Sequence, residues 1–190
     1  MTRNTRARMV VGAAKAIGTG GIDAMSLRDL AEREGVPLGS TYHYFPGGKA
    51  ALAEEAVRFI GAQVTRMIEE SRAEGAAQVL HKFADRWRRV LESSDYRTGC
   101  AVAAAATATD PRQHAVAREV FDDWQAALVD VLLEAGVPKR RAPRLARTIV
   151  AATEGALALA RASGTSRPLD EVVEELSDLV EAASVASPLG

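Results

Sequence analysis

The side chains with the clearest chemical potential are crowded into residues 38–45, which read Leu-Gly-Ser-Thr-Tyr-His-Tyr-Phe. Short hydroxyls, phenols and an imidazole follow one another within about two turns of a helix. On a helix that enters the major groove of DNA, such groups bond base edges or phosphates, and apolar atoms meet thymine methyl groups. Taken alone, however, the segment favours a plainer interpretation, a surface helix whose Tyr and His cover the edge of the core.

The residues before this segment predict two helices that would position it. Apolar residues recur at three- and four-residue spacing over residues 5–18, and Gly20-Gly21 ends that first helix. Ser26 is a good N-cap for a second helix, with Asp29 three residues on as a capping-box-like partner. Gly35 is placed as the left-handed residue that stops the second helix, just before residues 38–45.

A third short helix is predicted over residues 38–45 itself, with Leu38 and Phe45 as its core candidates. Pro37 is acceptable in a first helical turn, and Pro46-Gly47-Gly48 ends the helix. Three short helices, the last two joined by a tight glycine-containing turn, describe a helix-turn-helix unit.

The distribution of charge divides the chain into a head and a body. The 24 Lys and Arg residues nearly balance the 25 Asp and Glu residues, which at first argues against a nucleic-acid partner. Residues 1–50, however, hold seven cations and four anions, a balance of +3, so residues 51–190 carry −4. Binding of phosphates needs local positive charge and not a basic average. The balance is therefore compatible with a mildly basic, DNA-reading head and an acidic body.

The body is predicted to be helical throughout. It is rich in alanine, lacks runs of alternating β-branched and polar residues, and shows apolar residues at helical spacing. The segments with this spacing are residues 49–72, 76–91, 100–108, 112–135, 140–162 and 170–186. We therefore predict an all-α protein of about nine helices.

The head resembles the TetR family of bacterial transcriptional regulators over residues 8–55. The resemblance rests on the following segments, in this order: Ala13-Ala14, Gly20-Gly-Ile-Asp-Ala-Met-Ser26, Leu27-Arg-Asp-Leu-Ala31, Gly35-Val36, Ser40-Thr-Tyr-His-Tyr-Phe45, Lys49 and Leu52. The later segment Gly99-Cys-Ala-Val-Ala is similar to the LmrA/YxaF-like subgroup of that family. The resemblance implies a helix-turn-helix DNA-binding domain at 1–48 and a ligand-binding and dimerisation domain at 49–190.

The same resemblance implies which residues contact DNA. Tyr42 and Lys49 are the expected phosphate contacts, and Arg28 matches a position that can reach a base in the family, where arginine pairs with guanine through two hydrogen bonds. Ser26 is expected to present its backbone N–H to a phosphate. Further contacts are expected from a flexible N-terminal arm and from the rest of the third helix: Arg3, Arg6, Arg8, Gly39, Ser40, Thr41, His43 and Tyr44. A solvated tail is the alternative for the arm.

Most of the body's large side chains fall in its middle helices, together with a few polar groups. This combination is typical of a small-molecule pocket, although aromatic residues at helical spacing are also ordinary core. The candidate pocket residues are Phe83, Trp87, Cys100, Thr107, His114, Phe121 and Trp124. The resemblance implies a small hydrophobic or aromatic inducer, and we expect no cofactor.

The last two predicted helices carry apolar stripes that suit a dimer. A single recognition helix makes too few contacts for tight operator binding, so two-fold pairing is physically sensible. Each stripe alone is more typical of core within one chain, but the resemblance implies a homodimer formed by a four-helix bundle of these helices. The expected interface residues are Leu145, Ile149, Ala152, Ala156, Leu159, Leu169, Val172, Val173, Leu176, Leu179 and Val180.

Other classes of protein fit the sequence less well. The three histidines are far apart and no catalytic or phosphate-cradling motif occurs, so we do not expect an enzyme. The single cysteine, Cys100, excludes a multi-cysteine metal site, and it leaves a thiol-based redox sensor as one alternative and a helical small-molecule-binding protein as another. No long apolar segment or apolar signal core occurs, so we expect no membrane insertion and a cytoplasmic location. The family default is a repressor released from a palindromic operator by its inducer.

Overall fold

The computed structural model describes the backbone of residues 2–185 and the side chains of residues 5–185. Over that range the chain is all-α, as predicted, with nine α-helices and one 3-10 helix, Arg72–Glu74. The α-helices are α1 (Thr2–Ala24), α2 (Leu27–Arg33), α3 (Leu38–Tyr44), α4 (Gly48–Ser71), α5 (Ala76–Ser93), α6 (Ala101–Ala106), α7 (Pro111–Glu134), α8 (Ala142–Ser163) and α9 (Arg167–Val185).

The first helices begin and end where the local sequence requires. α1 is interrupted at Gly21, whose φ of 82° favours glycine, although helical residues resume and continue to Ala24. Ser26 Oγ accepts a hydrogen bond from Asp29 N at 3.2 Å, which confirms the predicted N-cap of α2. Gly35 follows α2 with a φ of 63°, as predicted for the residue that stops this helix.

Of the two residues of the α3 segment predicted to lie in the core, Phe45 does so and Leu38 does not. Phe45, directly after α3, is 2% exposed and its N–H donates to the Thr41 carbonyl at 2.9 Å, so its place in the core is confirmed. Leu38 is 38% exposed, so its assignment to the core is wrong. Thr41, four residues before Phe45 and therefore on the same face, is fully buried.

The body helices agree with the predicted segments apart from small shifts at their ends. Asp110 Oδ1 accepts a hydrogen bond from Arg112 N at 3.0 Å, which confirms the predicted cap of α7. The hydrogen bonds that Arg112 donates hold the pKa of the Asp110 carboxyl below its usual range. α9 begins at Arg167, earlier than the predicted residue 170, because Pro168 is tolerated in the first turn of a helix.

Packing divides the chain into two compact units. The first contains residues up to Ala62 together with Cys100–Val120, and the second contains Gln63–Gly99 together with the residues from Phe121 onward. α4 and α7 are continuous helices that begin in the first unit and end in the second. The packing units therefore differ from the functional division at residues 48 and 49 that the sequence predicts.

Each unit has its own helical core. In the first unit α1 packs against α6 and α2 through fully buried side chains such as Met9 and Ile17. In the second unit α9 packs against both α8 and α5, with Leu169 completely buried. None of the helices between residues 2 and 185 combines the length and the apolar character needed to cross a membrane.

Candidate DNA-binding surface and ligand cavity

Most of the residues that the sequence assigns to groove contacts are accessible on α3. Tyr42 is 54% exposed, His43 and Gly39 are also exposed, and Ser40 and Tyr44 are half-buried. The rings of His43 and Tyr44 meet edge to face, with centroids 5.8 Å apart. Apart from the buried Thr41 and the exposed, apolar Leu38, α3 therefore presents a polar, hydrogen-bonding surface of the kind that the major groove accommodates.

Thr41 does not belong to that surface. Its side chain is completely buried, and its hydroxyl donates to the Pro37 carbonyl at 3.4 Å, a long bond one turn back along the chain. The expectation that Thr41 contacts the groove is wrong, because its position places it on the core side of α3 together with Phe45. The prediction assigned Ser40 and Thr41 to the same surface, whereas adjacent residues of a helix point about 100° apart.

Lys49 lies at the start of α4 and is held by a backbone group. Its Nζ donates to the carbonyl oxygen of Asp23 at 2.8 Å, at the end of α1. This bond uses one of the three donors of the ammonium group and leaves its charge intact. Lys49 is therefore held in place by Asp23, and its contact with a phosphate stays a prediction.

Asp23 is a residue that the sequence reasoning missed. Its carboxylate accepts two hydrogen bonds from Thr109, one from the backbone N at 3.2 Å and one from Oγ1 at 2.8 Å. Asp23 thus bonds Lys49 through its carbonyl and the turn between α6 and α7 through its side chain. No local pattern signals this contact, because the two partners are 86 positions apart.

The second helix supplies the other two DNA-contact candidates. Arg28 is exposed on α2 and makes no ion pair with an acidic side chain among residues 5–185, so its guanidinium is available for a partner outside the chain. Ser26 is half-buried and its Oγ is already occupied as the N-cap, which leaves a backbone contact as its expected role.

The predicted flexible arm is instead part of a helix. α1 begins at Thr2, and both terminal nitrogens of Arg6 donate to the Glu55 carboxylate, the bond from Nη2 to Oε2 being 2.5 Å long. The Arg6 guanidinium also lies 5.3 Å from the centre of the Phe45 ring, and Arg8 is 3.9 Å from the Glu34 carboxylate. The expectation of a free phosphate-binding arm is therefore wrong for Arg6, and the Arg3 side chain lies outside the described ones.

In the second unit, four helices enclose an apolar cavity. Its lining residues come from α4, α5, α7 and α8: Val64, Ile68, Val79, Leu80, Phe83, Trp124, Leu128, Ile149, Val150 and Thr153. The hydroxyl of Thr153 donates to the Ile149 carbonyl at 2.8 Å, so it is already satisfied. The cavity volume is about 20 Å³, room for about one water molecule. In this conformation the cavity is too small for a ligand larger than a water molecule.

The seven pocket candidates from the sequence do not form one site. Phe83 and Trp124 line the cavity. Trp87 is buried with its ring centroid 6.2 Å from that of Phe83, and the half-buried Phe121 packs edge to face on Trp124. The residues predicted for the pocket are aromatic and polar, whereas most of the lining is aliphatic, and the helical period alone does not tell which apolar residues border an unfilled space.

The remaining three candidates, Cys100, Thr107 and His114, belong to the first unit and do not line this cavity. Cys100 is 6% exposed at the start of α6, and Thr107 is exposed with its hydroxyl bonded to the Ala104 carbonyl at 3.3 Å. The His114 ring bonds the Ala108 carbonyl through Nε2 at 2.6 Å. The three residues lie around α6 and the start of α7, away from this lining, and their contact with a ligand stays a prediction. Among the described residues, no cluster of His, Cys, Asp and Glu is arranged to hold a metal ion.

The predicted dimer residues separate into two groups. Seven of them are at most 5% exposed in the single chain: Leu145, Ile149, Ala156, Leu169, Val173, Leu176 and Val180. The single chain already buries these seven side chains, so little of their surface is left for a second copy, and their place in an interface stays a prediction. Leu159 and Leu179 are 59% and 37% exposed, and Ala152 and Val172 are half-buried. These four remain candidates for contact with a second copy.

An all-helical chain in which a helix-turn-helix unit presents an exposed polar third helix defines the class of helix-turn-helix DNA-binding regulators. Comparison with known proteins makes the assignment specific. Residues 10–56 match the family described as bacterial regulatory proteins of the tetR family. Residues 76–175 match the C-terminal domain of LmrA/YxaF-like transcriptional regulators. The chain belongs to the TetR family of transcriptional regulators, and to its LmrA/YxaF-like group. This is a family of regulators and not of enzymes.

Relatives resemble the chain over nearly its whole length. An uncharacterized HTH-type transcriptional regulator of Mycobacterium tuberculosis strain H37Rv is 38% identical over 92% of this chain and 93% of its own. The regulator YxaF of Bacillus subtilis is 27% identical over 93% of this chain and 95% of its own. Among solved structures, a regulatory protein TetR from Rhodobacter sphaeroides superposes with a TM-score of 0.80 at 19% identity, covering 92% of this chain and 97% of that one. This last likeness shows the shared fold.

Proposed function

We propose that this protein is a repressor that binds a palindromic operator as a homodimer and leaves it when a small hydrophobic or aromatic inducer enters the body. The observation that carries the proposal is the composition of α4. Lys49 lies in its first turn, while Val64 and Ile68, further along the same helix, line the apolar cavity. One continuous helix therefore carries both a DNA-contact candidate and a wall of the candidate ligand site.

The small size of the cavity supports regulation by displacement of its walls. A cavity that holds about one water molecule must expand to admit a larger ligand. Because Val64 and Ile68 are part of the wall, expansion shifts α4 and with it Lys49. An inducer acts in this way only if it binds the state that has left DNA more tightly than the DNA-bound state.

α7 offers a second connection of the same kind. Trp124 lines the cavity, and Gln113, in the first turn of α7, is buried and donates to the Ala50 carbonyl of α4 at 3.4 Å. The turn that precedes α7 holds Thr109, which bonds Asp23. Movement of α7 therefore acts on the same residue, Asp23, that positions Lys49.

The proposed dimer uses the apolar residues that α8 and α9 leave exposed. Leu159 and Leu179 are the largest of these, and α8 carries small exposed residues beside them, such as Gly155. A two-fold dimer places two copies of α3 so that they meet successive major grooves, and a change in their separation releases the operator. Because the proposed partner is operator DNA, we place the protein in the cytoplasm and propose no catalytic activity for it.

The experiment that tests the proposal is selection of bound fragments from genomic DNA, followed by mobility-shift titration of the selected fragment. We expect a palindromic site, bound by two protomers, whose affinity falls when a compound that binds the body is added. Failure to enrich a palindrome contradicts operator binding. An unchanged operator affinity with a compound that demonstrably binds the body contradicts the proposed regulation.

A further inference from the structure

A half-buried arginine on α5 has no acidic partner among the described residues. Nη2 of Arg86 donates to Oε1 of Gln63 on α4 at 2.6 Å, and that acceptor is neutral. Burial lowers the pKa of Arg86, and the like charge of Arg89 lowers it further. Arginines that lose contact with water are normally paired with an anion. Arg86 is therefore a cation that the described chain leaves without a counter-ion.

Nearby arginines show the ordinary arrangement in this unit. Arg88, two positions further along α5, bonds Asp85 at 2.5 Å and Asp170 at 2.6 Å. Arg72 bonds Glu134 at 2.6 Å. Hydrogen bonds to these carboxylates raise the pKa of Arg88 and of Arg72, the opposite of the shift at Arg86. The absence of a carboxylate beside Arg86 is thus not a general property of the helix.

A second unmatched donor lies next to Arg86 in the chain. Trp87 is 4% exposed, and its indole Nε1–H is buried without a hydrogen-bond acceptor among residues 5–185. Buried polar groups nearly always have a partner, so such a donor calls for an explanation. Arg86 and Trp87 share a requirement for an acceptor: Arg86 has a neutral acceptor in Gln63 but no anion, and the Trp87 indole N–H has no acceptor among the described residues.

Both residues lie one helical turn from the apolar cavity. Phe83, which lines it, precedes Arg86 by three positions and Trp87 by four on the same helix. Gln63, which holds Arg86, directly precedes the lining residue Val64 on α4. A cation without an anionic partner and an indole N–H without an acceptor therefore lie one helical turn from Phe83, a residue of the apolar lining.

We propose that the ligand of this cavity is an amphipathic carboxylate, with an apolar or aromatic body between Phe83 and Trp124 and a carboxylate received by Arg86 and by the indole N–H of Trp87. The guanidinium fork matches the geometry of a carboxylate, and a charged hydrogen bond in a partly desolvated site is strong. This inference rests on the proposed function and narrows its inducer from any hydrophobic compound to an anionic one.

The chain's two tryptophans, Trp87 and Trp124, provide the readout, since one lines the cavity and the other is in the proposed headgroup site. The full-length protein is titrated with 4-phenylbutanoate and octanoate, and with the matched neutral alcohols 4-phenyl-1-butanol and 1-octanol, while intrinsic fluorescence is recorded. A charged hydrogen bond predicts that each acid binds at least about tenfold more tightly than its alcohol.

Variants of the arginine separate a specific role from a structural one. Arg86→Met keeps the volume of the side chain and is expected to abolish the preference for acids while alcohol affinity changes by less than about twofold. Arg86→Lys keeps the charge and is expected to retain part of the preference. Arg89→Met, an exposed arginine on the same helix, is the matched control and is expected to behave as the wild type. Circular dichroism melts establish that all variants are folded.

Three results would overturn the proposal: equal binding of acid and alcohol by the wild type, an acid preference that survives in Arg86→Met, or no binding of any of the four probes. Operator affinity measured in parallel separates this inference from the proposed function. An alcohol that binds as well as its acid and releases the operator rejects the carboxylate site and supports the regulation. An acid that binds through Arg86 and leaves operator affinity unchanged supports the site and rejects the regulation.

Discussion

Replacing Lys49 by methionine removes a positive charge from the start of α4 and preserves most of the length of the side chain. The Lys49 ammonium is held by the Asp23 carbonyl at 2.8 Å and keeps two further N–H donors for a phosphate. Each phosphate contact adds about 0.9 to the slope of log K against log salt concentration. A dimer that loses two such contacts therefore has a slope smaller by about 1.8.

Operator binding measured by fluorescence anisotropy over a series of salt concentrations gives this slope directly. Lys49→Met should bind every DNA sequence more weakly at low salt. The gap between wild type and variant should narrow by about 60-fold between roughly 0.05 and 0.5 M salt, because a slope difference of about 1.8 acts over one decade. Discrimination between operator and random DNA should change little, since a phosphate contact carries no sequence information.

Lys139→Met is the matched control, because it removes an exposed lysine from the turn between α7 and α8. Its salt slope should equal that of the wild type. The reasoning is refuted if Lys49→Met lowers affinity by the same factor at every salt concentration. That outcome would mean that Lys49 acts only by bracing the end of α1 through Asp23.

Three other substitutions test separate parts of the structure. Arg28→Ala should relax discrimination at one base pair of each half-site, with a loss of about 1–3 kcal/mol of binding free energy for the preferred base. Equal losses of affinity for all operator variants would contradict its role as a base reader. Gly61→Ala should lower Tm by about 2–6 °C, because the added Cβ would lie 2.7 Å from Cγ1 of the stiff Val120 side chain. Adding Val120→Ala to this variant should restore part of the lost Tm. A Gly61→Ala protein with a raised Tm would refute the clash. Leu159→Glu should give monomers in light scattering, whereas Leu133→Glu, at another exposed leucine, on α7, should leave dimers. A dimeric Leu159→Glu protein would exclude this face.

The parts of the structure that were predictable from sequence are those fixed by local rules. The N-cap at Ser26 and the left-handed stop at Gly35 depend on neighbours within a few residues, and both are present in the structure. The inward stripe of α9 was also predictable, but a stripe says only that residues are buried and not whether its own chain or a partner covers them. Leu169 and Val173 illustrate this limit, since their own chain already buries them.

What the sequence does not reveal are contacts between distant segments. Asp23 and Thr109 are ordinary polar residues in their local contexts, and only the packing of α1 against the turn before α7 brings them together. The same holds for Arg86. The sequence shows one more charged residue on the polar side of an amphipathic helix, and its lack of a counter-ion is visible only when every neighbour is in place.

The ion pairs of the head also change the meaning of its charge. Arg6 is paired with Glu55, an anion outside residues 1–50, so less positive charge is available to phosphates than the balance of +3 suggests. We expect a head with little free charge to bind random DNA weakly, so in the proposed dimer most of the operator affinity would come from two α3 helices that fit their grooves simultaneously. Such a dimer would leave its operator readily. A modest displacement of α4 that prevents one α3 helix from fitting its major groove would remove most of the operator affinity. A head with little free positive charge therefore suits the proposed switch, since a strongly basic head would hold the DNA even after its helices had moved out of register.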